Sequence, residues 1–330
     1  MLNVFLTVDT EIWPYAPGWP VNALPADKAD FSQEVDAYIF GKTSRGEFGL
    51  PFQMDVLNRH GLKAVYFVEA LFASVVGLET LARIVGLIRD RGHEVQLHIH
   101  TEWLREIARP DLPAQFRQHI RQFPADEQAR IIAHGIANLR AAGASKVCAF
   151  RAGNFGANFD TLRALTSNGM LYDTSHNACF LDAECQMRTD EPLLQQRMID
   201  GVYEFPVSTF SDYPGHVRPA QLCACSFQEL ESALLQAWRA GWYSFVIVWH
   251  GFELIRNVRE PGRRRPDWIN IRRFERLCGF LAANRDKFRT AVFSEIDART
   301  IPSAGMVHRI KSPLRNTAWR FAEQIASRLL

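Results

Sequence analysis

Short apolar runs of strand length alternate with amphipathic segments of helical length along most of this 330-residue chain. Strand-like runs lie at 2–11, 64–68, 146–150 and 244–249, and helical patterns lie at 78–91, 125–142, 226–240 and 266–284. Alternation of this kind is typical of parallel sheets whose strands are connected by helices. No break in composition divides the chain. The sequence therefore predicts an α/β protein with a parallel barrel or open sheet in one domain.

The segment from Gly92 to Trp103 places histidine and carboxylate side chains at the end of a short strand. His98, His100 and Glu102 recur at every second position, so they share one face if the chain stays extended. If a helix begins after His98, then His98 and Glu102 lie one turn apart instead. Both arrangements bring together imidazole and carboxylate groups, which zinc or a similar divalent ion accepts.

Three other strands also end in polar residues. The first ends with Asp9 and Glu11, and two later strands end with Arg151 and His250. The carboxyl ends of parallel strands are where sites assemble in α/β proteins. Because four strands deliver such residues at the same end, the sequence predicts one shared active face.

Composition and cysteine usage bear on the compartment and the partners. The chain is 47% hydrophobic and 22% charged, with a net charge of +2, which gives no reason to expect a nucleic acid partner. No apolar run reaches the roughly 20 residues of a membrane helix. The N-terminus enters a strand without the pattern of a secretory signal. With six scattered cysteines, we expect a reduced, cytoplasmic protein.

The order of the segments resembles the polysaccharide deacetylase family, carbohydrate esterase family 4, from about residue 2 to residue 296. Thr7-Val8-Asp9-Thr10 matches the motif Thr-Phe-Asp-Asp, and Gly92 to Glu102 aligns without a gap on Gly-His-Glu-Ile-Gly-Asn-His-Thr-x-x-His. Arg151 to Gly156 resembles Arg-Pro-Pro-x-Gly, Asp173-Thr174-Ser175 begins the fourth motif, and Val248-Trp249-His250 matches Leu-x-His. The resemblance implies an irregular seven-stranded β/α barrel with a metal at its C-terminal face.

The chain departs from the family pattern at three positions. The second metal-binding Asp of the family falls on Thr10, so Glu11 would supply that ligand. The second metal-binding His falls on Glu102, while an additional histidine lies at His100. The family's Trp after the fourth motif falls on Ala178. These changes indicate a divergent branch.

The resemblance implies a metal-dependent hydrolase that removes N-acetyl or O-acetyl groups from a saccharide. Asp9 would be the general base and His250 the general acid. Arg151 would pair with Asp9, and Asp173 would orient His250. Since Asp9 and His250 have few apolar neighbours at their strand ends, we expect their substitution to lower turnover and leave the melting temperature unchanged.

Zinc is the expected metal. The candidate ligands, in order, are His98, then Glu11 and His100, then Glu102. Two imidazoles and one carboxylate with an open position for water are the usual hydrolytic set. The sequence does not decide between His100 and Glu102 as the last ligand.

Two other functions fit the same residues. A metal-dependent amidase for a small cyclic amide is compatible with the family resemblance. A catalytically silent carbohydrate-binding protein is the other, because Thr10 and Glu102 replace the family's ligands. The sequence leaves the saccharide and the oligomeric state open.

We place the expected barrel at residues 1–300, with an insertion after its first strand and a tail after its end. Residues 12–50 form an aromatic-rich insertion directly after the strand with Asp9 and Glu11, so we expect a lid or groove wall. Its Trp13 and Trp19 either stack on sugar rings or pack the loop against the barrel. Residues 301–330 form a basic tail with an apolar side at helical spacing, namely Trp319, Phe321, Ile325 and Leu329. Such a helix either lies on an anionic membrane surface or packs against the barrel.

Overall fold

The structure is a computed structural model that describes residues 1–25, 31–302 and 307–329, with side chains through Ala326. Parts of the insertion and of the tail therefore lie outside the described residues, as do the side chains of Arg328 and Leu329. The division into a barrel at 1–300 and a tail at 301–330 stays a prediction.

Strands and helices alternate over residues 65–173 as the sequence predicts, whereas residues 172–219 contain five strands and no α-helix. The strands are β1 (Leu2–Thr10), β2 (Lys42–Thr43), β3 (Gly46–Glu47), β4 (Val65–Glu69), β5 (Glu94–Ile99), β6 (Ala149–Ala152), β7 (Tyr172–Asp173), β8 (Arg197–Ile199), β9 (Val202–Glu204), β10 (Thr209–Tyr213), β11 (His216–Pro219), β12 (Ser244–His250), β13 (Ile255–Arg256), β14 (Arg265–Pro266) and β15 (Phe288–Thr290). The helices are α1 (Ser32–Tyr38), α2 (Leu50–Arg59), α3 (Ala73–Val76), α4 (Leu78–Arg89), α5 (Ala125–Ala141), α6 (Phe159–Ser167), α7 (Phe227–Arg239), α8 (Trp268–Ala283) and α9 (Leu314–Leu329).

The main sheet contains seven parallel strands in the order β12-β1-β4-β5-β6-β7-β9. Strand β8 pairs antiparallel with β9, and β15 lies beside β1. Between β9 and β12 the sheet is closed by Ser208, whose amide donates to the Val246 carbonyl at 3.2 Å and whose Oγ accepts from the Val246 amide at 2.9 Å. This curled sheet confirms the predicted irregular seven-stranded β/α barrel.

The two faces of β1 show how the barrel positions polar groups. Val4, Leu6 and Val8 point outward into the core beneath the helices. Phe5 points inward, where its ring contacts Phe205 and Phe293 at centroid distances of 5.3 and 4.7 Å. Because side chains alternate along a strand, Thr7 and Asp9 follow Phe5 on the inner face. An apolar layer thus fills the lower barrel, and polar side chains lie above it at the C-terminal mouth.

The described part of the insertion contains the helix α1 and the hairpin β2–β3, although its sequence shows little periodicity. Its two tryptophans pack in series. The ring of Trp13 lies 5.2 Å from Trp19, and that of Trp19 lies 5.1 Å from the fully buried Trp103. Trp19 is therefore packed behind Trp13, and only Trp13 is placed at the site described below.

The tail forms the predicted helix, α9, and its polar side packs against the barrel. Arg320 is buried, with its Nε donating to both carboxylate oxygens of Glu229 at 3.1 Å and its Nη2 donating to Asp212 at 2.8 Å. The apolar side chains Trp319 and Phe321 point outward instead, with exposed fractions of 51% and 49%. No helix within the described residues is long and apolar enough to cross a membrane.

Replacing Arg320 with alanine is expected to lower the free energy of unfolding by about 3–5 kcal/mol. The substitution leaves the buried Glu229 carboxylate without a cationic partner among the described residues, and an uncompensated buried charge is costly. Asp212 keeps its ion pairs with Arg218 and His216. Arg315 lies on the same helix and is exposed, so Arg315→Ala is the matched control and should change stability by less than about 0.5 kcal/mol. Denaturant unfolding of both variants measures the difference; equal effects would contradict the packing of this helix.

Candidate active site

The register of the parallel strands brings the predicted site residues to one level. Asp9 lies opposite His250 across β1 and β12, and His98 lies opposite Arg151 across β5 and β6. All four side chains follow inward-facing positions of their strands, so they converge on the C-terminal mouth of the barrel.

Three of the predicted site residues, Glu11, His98 and His100, form a compact cluster. Glu11 Oε1 lies 3.1 Å from His98 Nε2 and 2.9 Å from His100 Nε2. One ligand atom from each residue lies within 4.8 Å of the others, and all three side chains are buried. A carboxylate and two imidazoles of this kind could hold a divalent metal ion.

The outer nitrogens of the two imidazoles are occupied by other groups. His98 Nδ1 lies 2.7 Å from the Arg151 carbonyl oxygen, and His100 Nδ1 lies 3.3 Å from Glu102 Oε2. Hydrogen bonds of this type fix the ring orientation of histidines that bind metals. They leave both Nε2 atoms directed at Glu11. Glu102 therefore lies behind His100, where its other oxygen accepts from Asn154 Nδ2 at 3.2 Å.

Burial and charge act in opposite directions on these groups. Burial alone would raise the pKa of Glu11, but His100 and His250 outweigh it and hold that pKa well below its ordinary value. Burial alone would lower the pKa of His100, but the Glu11 and Glu102 carboxylates raise it well above the usual range. The cluster thus places an ionised carboxylate where positive charge is favoured.

Asp9 and Arg151 form a buried ion pair beside the cluster. Arg151 Nη1 donates to Asp9 Oδ1 at 2.7 Å, and Arg151 Nη2 donates to the Thr7 hydroxyl at 2.8 Å. The Arg151 side chain has no exposed surface. Removing the Asp9 charge would leave this guanidinium buried without its carboxylate. The expectation that Asp9 can be replaced without loss of stability therefore has to be revised.

His250 contacts two carboxylates. Its Nε2 lies 3.7 Å from Glu11 Oε1, and its Nδ1 lies 2.8 Å from Glu253 Oε1. Gln221 Nε2 donates to the same Glu253 oxygen at 2.8 Å. Burial alone would lower the pKa of His250, but Glu11 and Glu253 raise it to about 9. The two carboxylates thus favour the protonated form of His250.

Asp173 was expected to orient His250, but its hydrogen bonds go to Ser175. Its Oδ1 accepts from the Ser175 hydroxyl at 2.7 Å, and Ser175 Oγ accepts from the Ala152 amide at 2.9 Å. Burial raises the pKa of Asp173, and burial with the Asp173 charge raises that of Glu204 well above its ordinary value. This carboxyl pair holds the loop after β7, where Glu204 Oε1 accepts from the His176 amide at 3.0 Å. The carboxylate that contacts His250 Nδ1 is Glu253, a residue that sequence analysis missed although it follows His250 by three positions.

A cavity of about 390 Å³ opens on these groups, within the range of small-ligand pockets. Trp13 forms part of its wall: the indole Nε1 donates to Glu11 Oε2 at 2.6 Å, and its ring meets His100 edge-on at 4.5 Å. The other lining residues are Asp9, His100, Gln118, Ala152, Asn154, Phe155, Phe180, Glu184, Gln221, His250 and Arg259.

The fold and the site together define a parallel β/α-barrel protein with a carboxylate–imidazole centre at its C-terminal mouth. No protein-family model matches the chain, and no curated protein matches it. A putative polysaccharide deacetylase from Mycobacterium smegmatis has a similar structure, with a TM-score of 0.57 and 17% identity over 93% of this chain and 94% of that one. At this identity the similarity establishes the fold, and the earlier resemblance is confirmed at that level.

Two further solved structures are more distant. A family 4 carbohydrate esterase from Streptomyces lividans, in complex with acetate, gives a TM-score of 0.40 at 13% identity over 90% of this chain and 94% of that one. A CE4 family pseudoenzyme from Bacillus anthracis gives 0.42 at 11% identity over 90% and 66% of the two chains. TM-scores this low add nothing to the fold assignment.

Proposed function

We propose that this protein is a metal-dependent hydrolase that removes an N-acetyl or O-acetyl group from a saccharide. The observation that carries the proposal is the cluster of Glu11, His98 and His100, with donor atoms within 4.8 Å of one another, beside Asp9 and His250. Hydrolysis of an amide needs an activated water, stabilisation of charge on the carbonyl oxygen and a proton for the leaving amine. The cluster and its two neighbours offer groups suited to each task.

Glu11, His98 and His100 would hold the metal, which we propose is zinc. Two imidazoles and one carboxylate match the usual donor set of catalytic zinc sites, which keep a position for water or substrate. When bound, the ion lowers the pKa of water and polarises the acetyl carbonyl. Glu102 would act through His100, since it contacts the ring nitrogen that faces away from the cluster.

Asp9 and His250 would each transfer a proton, one from the attacking water and one to the leaving group. Asp9 would accept a proton from the attacking water, while Arg151 fixes the position of its carboxylate through the 2.7 Å ion pair. His250, whose protonated form Glu253 favours, would donate from Nε2 to the leaving amine. Glu253 would keep the His250 ring oriented through Nδ1. These assignments retain the expected roles of Asp9, Arg151 and His250, and give the orienting role to Glu253 in place of Asp173.

Acetate release tests the hydrolase proposal against its alternatives. The zinc-loaded protein is incubated with a panel of N-acetyl and O-acetyl sugars and, separately, with small cyclic amides, and the His98→Ala variant serves as the control. If a sugar releases acetate with the wild type and not with His98→Ala, the result supports a deacetylase. Ring opening of the cyclic amides alone would make the protein an amidase. Sugar binding without any product would make it a silent carbohydrate-binding protein.

Trp13 is proposed to stack on the sugar at the cavity wall. Trp13→Ala is expected to raise KM for an oligosaccharide by about three- to tenfold, the scale of one aromatic contact, and KM for a short acetylated model compound less. Trp13→Phe keeps a ring but loses the donor to Glu11, so it should restore KM more than kcat. Trp319→Ala is the control, because it removes an exposed tryptophan that does not line the cavity. Equal changes in KM for both substrates would count against stacking.

A peripheral contact with anionic membranes is also proposed for α9. Trp319, Phe321 and Ile325 point outward and are at least 49% exposed, and Lys311 and Arg315 are exposed nearby. Basic and apolar side chains together suit an anionic lipid surface. Vesicles with anionic lipid should sediment the wild-type protein and less of a Trp319→Ala, Phe321→Ala variant; no binding by the wild type would reject the contact. The cytoplasmic location stays a prediction.

A further inference from the structure

An arginine-rich loop follows the strand that carries His250. Strands β13 and β14 pair antiparallel, with Ile255 opposite Pro266. The loop that they enclose contains Arg259, Arg263 and Arg264. Because β13 begins five residues after His250, the path of β12 and this pairing fix the position of the loop relative to the site.

Arg259 lines the same cavity as Glu11 and His250. Its Nε donates to the Tyr38 hydroxyl at 3.2 Å. Within the described residues no carboxylate pairs with its guanidinium, whereas the neighbouring Arg263 contacts Glu260 Oε2 at 2.8 Å. Arg259 therefore places a positive charge on the cavity wall with its terminal nitrogens free for another partner.

Arg264 places a second positive charge next to the first. Its Cζ lies 5.7 Å from the centroid of the Tyr15 ring, and its buried Nε has no hydrogen-bond partner among the described residues. The Tyr15 hydroxyl donates to the Val258 carbonyl at 3.0 Å, which ties the ring to the base of the loop. Burial raises the pKa of Tyr15, and both Arg264 and Arg259 oppose this rise. Arg259 donates to Tyr38, whose ring lies 6.1 Å from that of Tyr15, so the two guanidinium groups contact neighbouring rings.

Two neighbouring cations without a carboxylate partner repel each other, and an anion between them and the cavity would relieve that repulsion. A guanidinium group matches the oxygens of a phosphate or a carboxylate in a two-pronged hydrogen bond. We propose that the saccharide substrate carries an anionic substituent, a phosphate ester or a carboxylate, which Arg259 binds directly and Arg264 supports by its charge. This inference rests on the proposed function and names the substrate class of the same site.

Binding measurements on the zinc-loaded full-length protein test the anion site without relying on turnover. The probes are N-acetylglucosamine, N-acetylglucosamine 1-phosphate and N-acetylmuramic acid. Titration calorimetry at low salt measures the affinity of the protein for each probe. We expect the wild type to bind at least one charged probe about tenfold more tightly than the neutral sugar, the scale of one charge-assisted hydrogen bond. A gain for the phosphate alone identifies a phosphate ester, and a gain for the muramic acid alone identifies a carboxylate.

Variants of the loop decide whether Arg259 is responsible. R259Q should lose about tenfold in affinity for the preferred charged probe, and R259K should recover part of it because the charge remains. R263Q removes the same charge from the same loop, but its side chain already pairs with Glu260, so it should change affinity less than about twofold.

Two results would overturn the anion site: equal wild-type affinity for charged and neutral sugars, or equal losses in R259Q and R263Q. Failure of the hydrolase proposal is a different result, namely that no sugar of the panel releases acetate. A preference for charged probes would stand in that case as evidence for the anion site alone.

Discussion

Alanine at position 98 is expected to leave the purified protein with little of the metal that the wild type retains. His98 supplies one of only three donors in the cluster, and its ring is held between the Arg151 carbonyl and Glu11 at 2.7 and 3.1 Å. A site reduced to two protein ligands should bind the metal at least ~100-fold more weakly, since even loss of an outer contact costs about 10–100-fold. Elemental analysis after dialysis against a weak chelator measures the retained metal.

Two matched variants separate ligands from supporting groups. Glu102→Gln changes the contact to the far nitrogen of His100 but removes no member of the cluster, so it should retain metal but bind it about 10–100-fold more weakly. His216→Ala is the histidine control and should retain metal fully, because His216 pairs with Asp212 away from the cluster. Undiminished metal in His98→Ala would reject the proposed site.

The strand ends could be predicted from the sequence because two simple rules determine them. Buried parallel strands appear as short apolar runs, and their carboxyl ends meet at one edge. From these rules, the sequence alone predicts that His98, Arg151 and His250 lie close together. Similar reasoning placed Glu11 in the cluster, since it follows Asp9 by two positions on the extended β1 end.

The supporting contacts could not be predicted, because they depend on the paths of loops. Glu253 reaches His250 only because the chain turns back after β12, and the sequence resemblance directed attention to Asp173 instead. Likewise, strands of two residues, such as those of the hairpin β2–β3, are too short to show periodicity. The hairpin β10–β11 was also missed.

The tail shows that a sequence can predict a helix without predicting which of its sides faces the protein. Its spacing predicted an amphipathic helix, and α9 is that helix. An apolar side normally faces the protein, yet here Arg320 is buried and Trp319 points outward. The cause is the buried pair of acidic residues, Asp212 and Glu229, which the polar side of the helix neutralises. Such a partner lies about 90 residues away or more and leaves no local signal in the sequence.

Replacing His250 with glutamine is expected to lower turnover by at least ~100-fold, the lower range for a general acid or base. The free energy of unfolding should change little, because the side chain is 27% exposed and lies at a strand end. Glu253→Gln should act through the same ring. Since Glu253 raises the pKa of His250, its loss should move the alkaline limb of the kcat–pH profile to lower pH, where His250 loses its proton earlier. A purely structural role of Glu253 would lower kcat without moving that limb.

Asp9→Asn should also lower turnover at least ~100-fold, but with a different effect on stability. The variant leaves Arg151 buried and without a carboxylate, which should cost about 3–5 kcal/mol of unfolding free energy. Kinetics must therefore be measured well below the melting temperature of the variant, on protein whose folded fraction is checked by circular dichroism. If folded Asp9→Asn protein turns over the substrate at the wild-type rate, Asp9 serves only to neutralise Arg151. If it is inactive while His250→Gln stays active, the base assignment stands and the acid has to be sought elsewhere in the cavity.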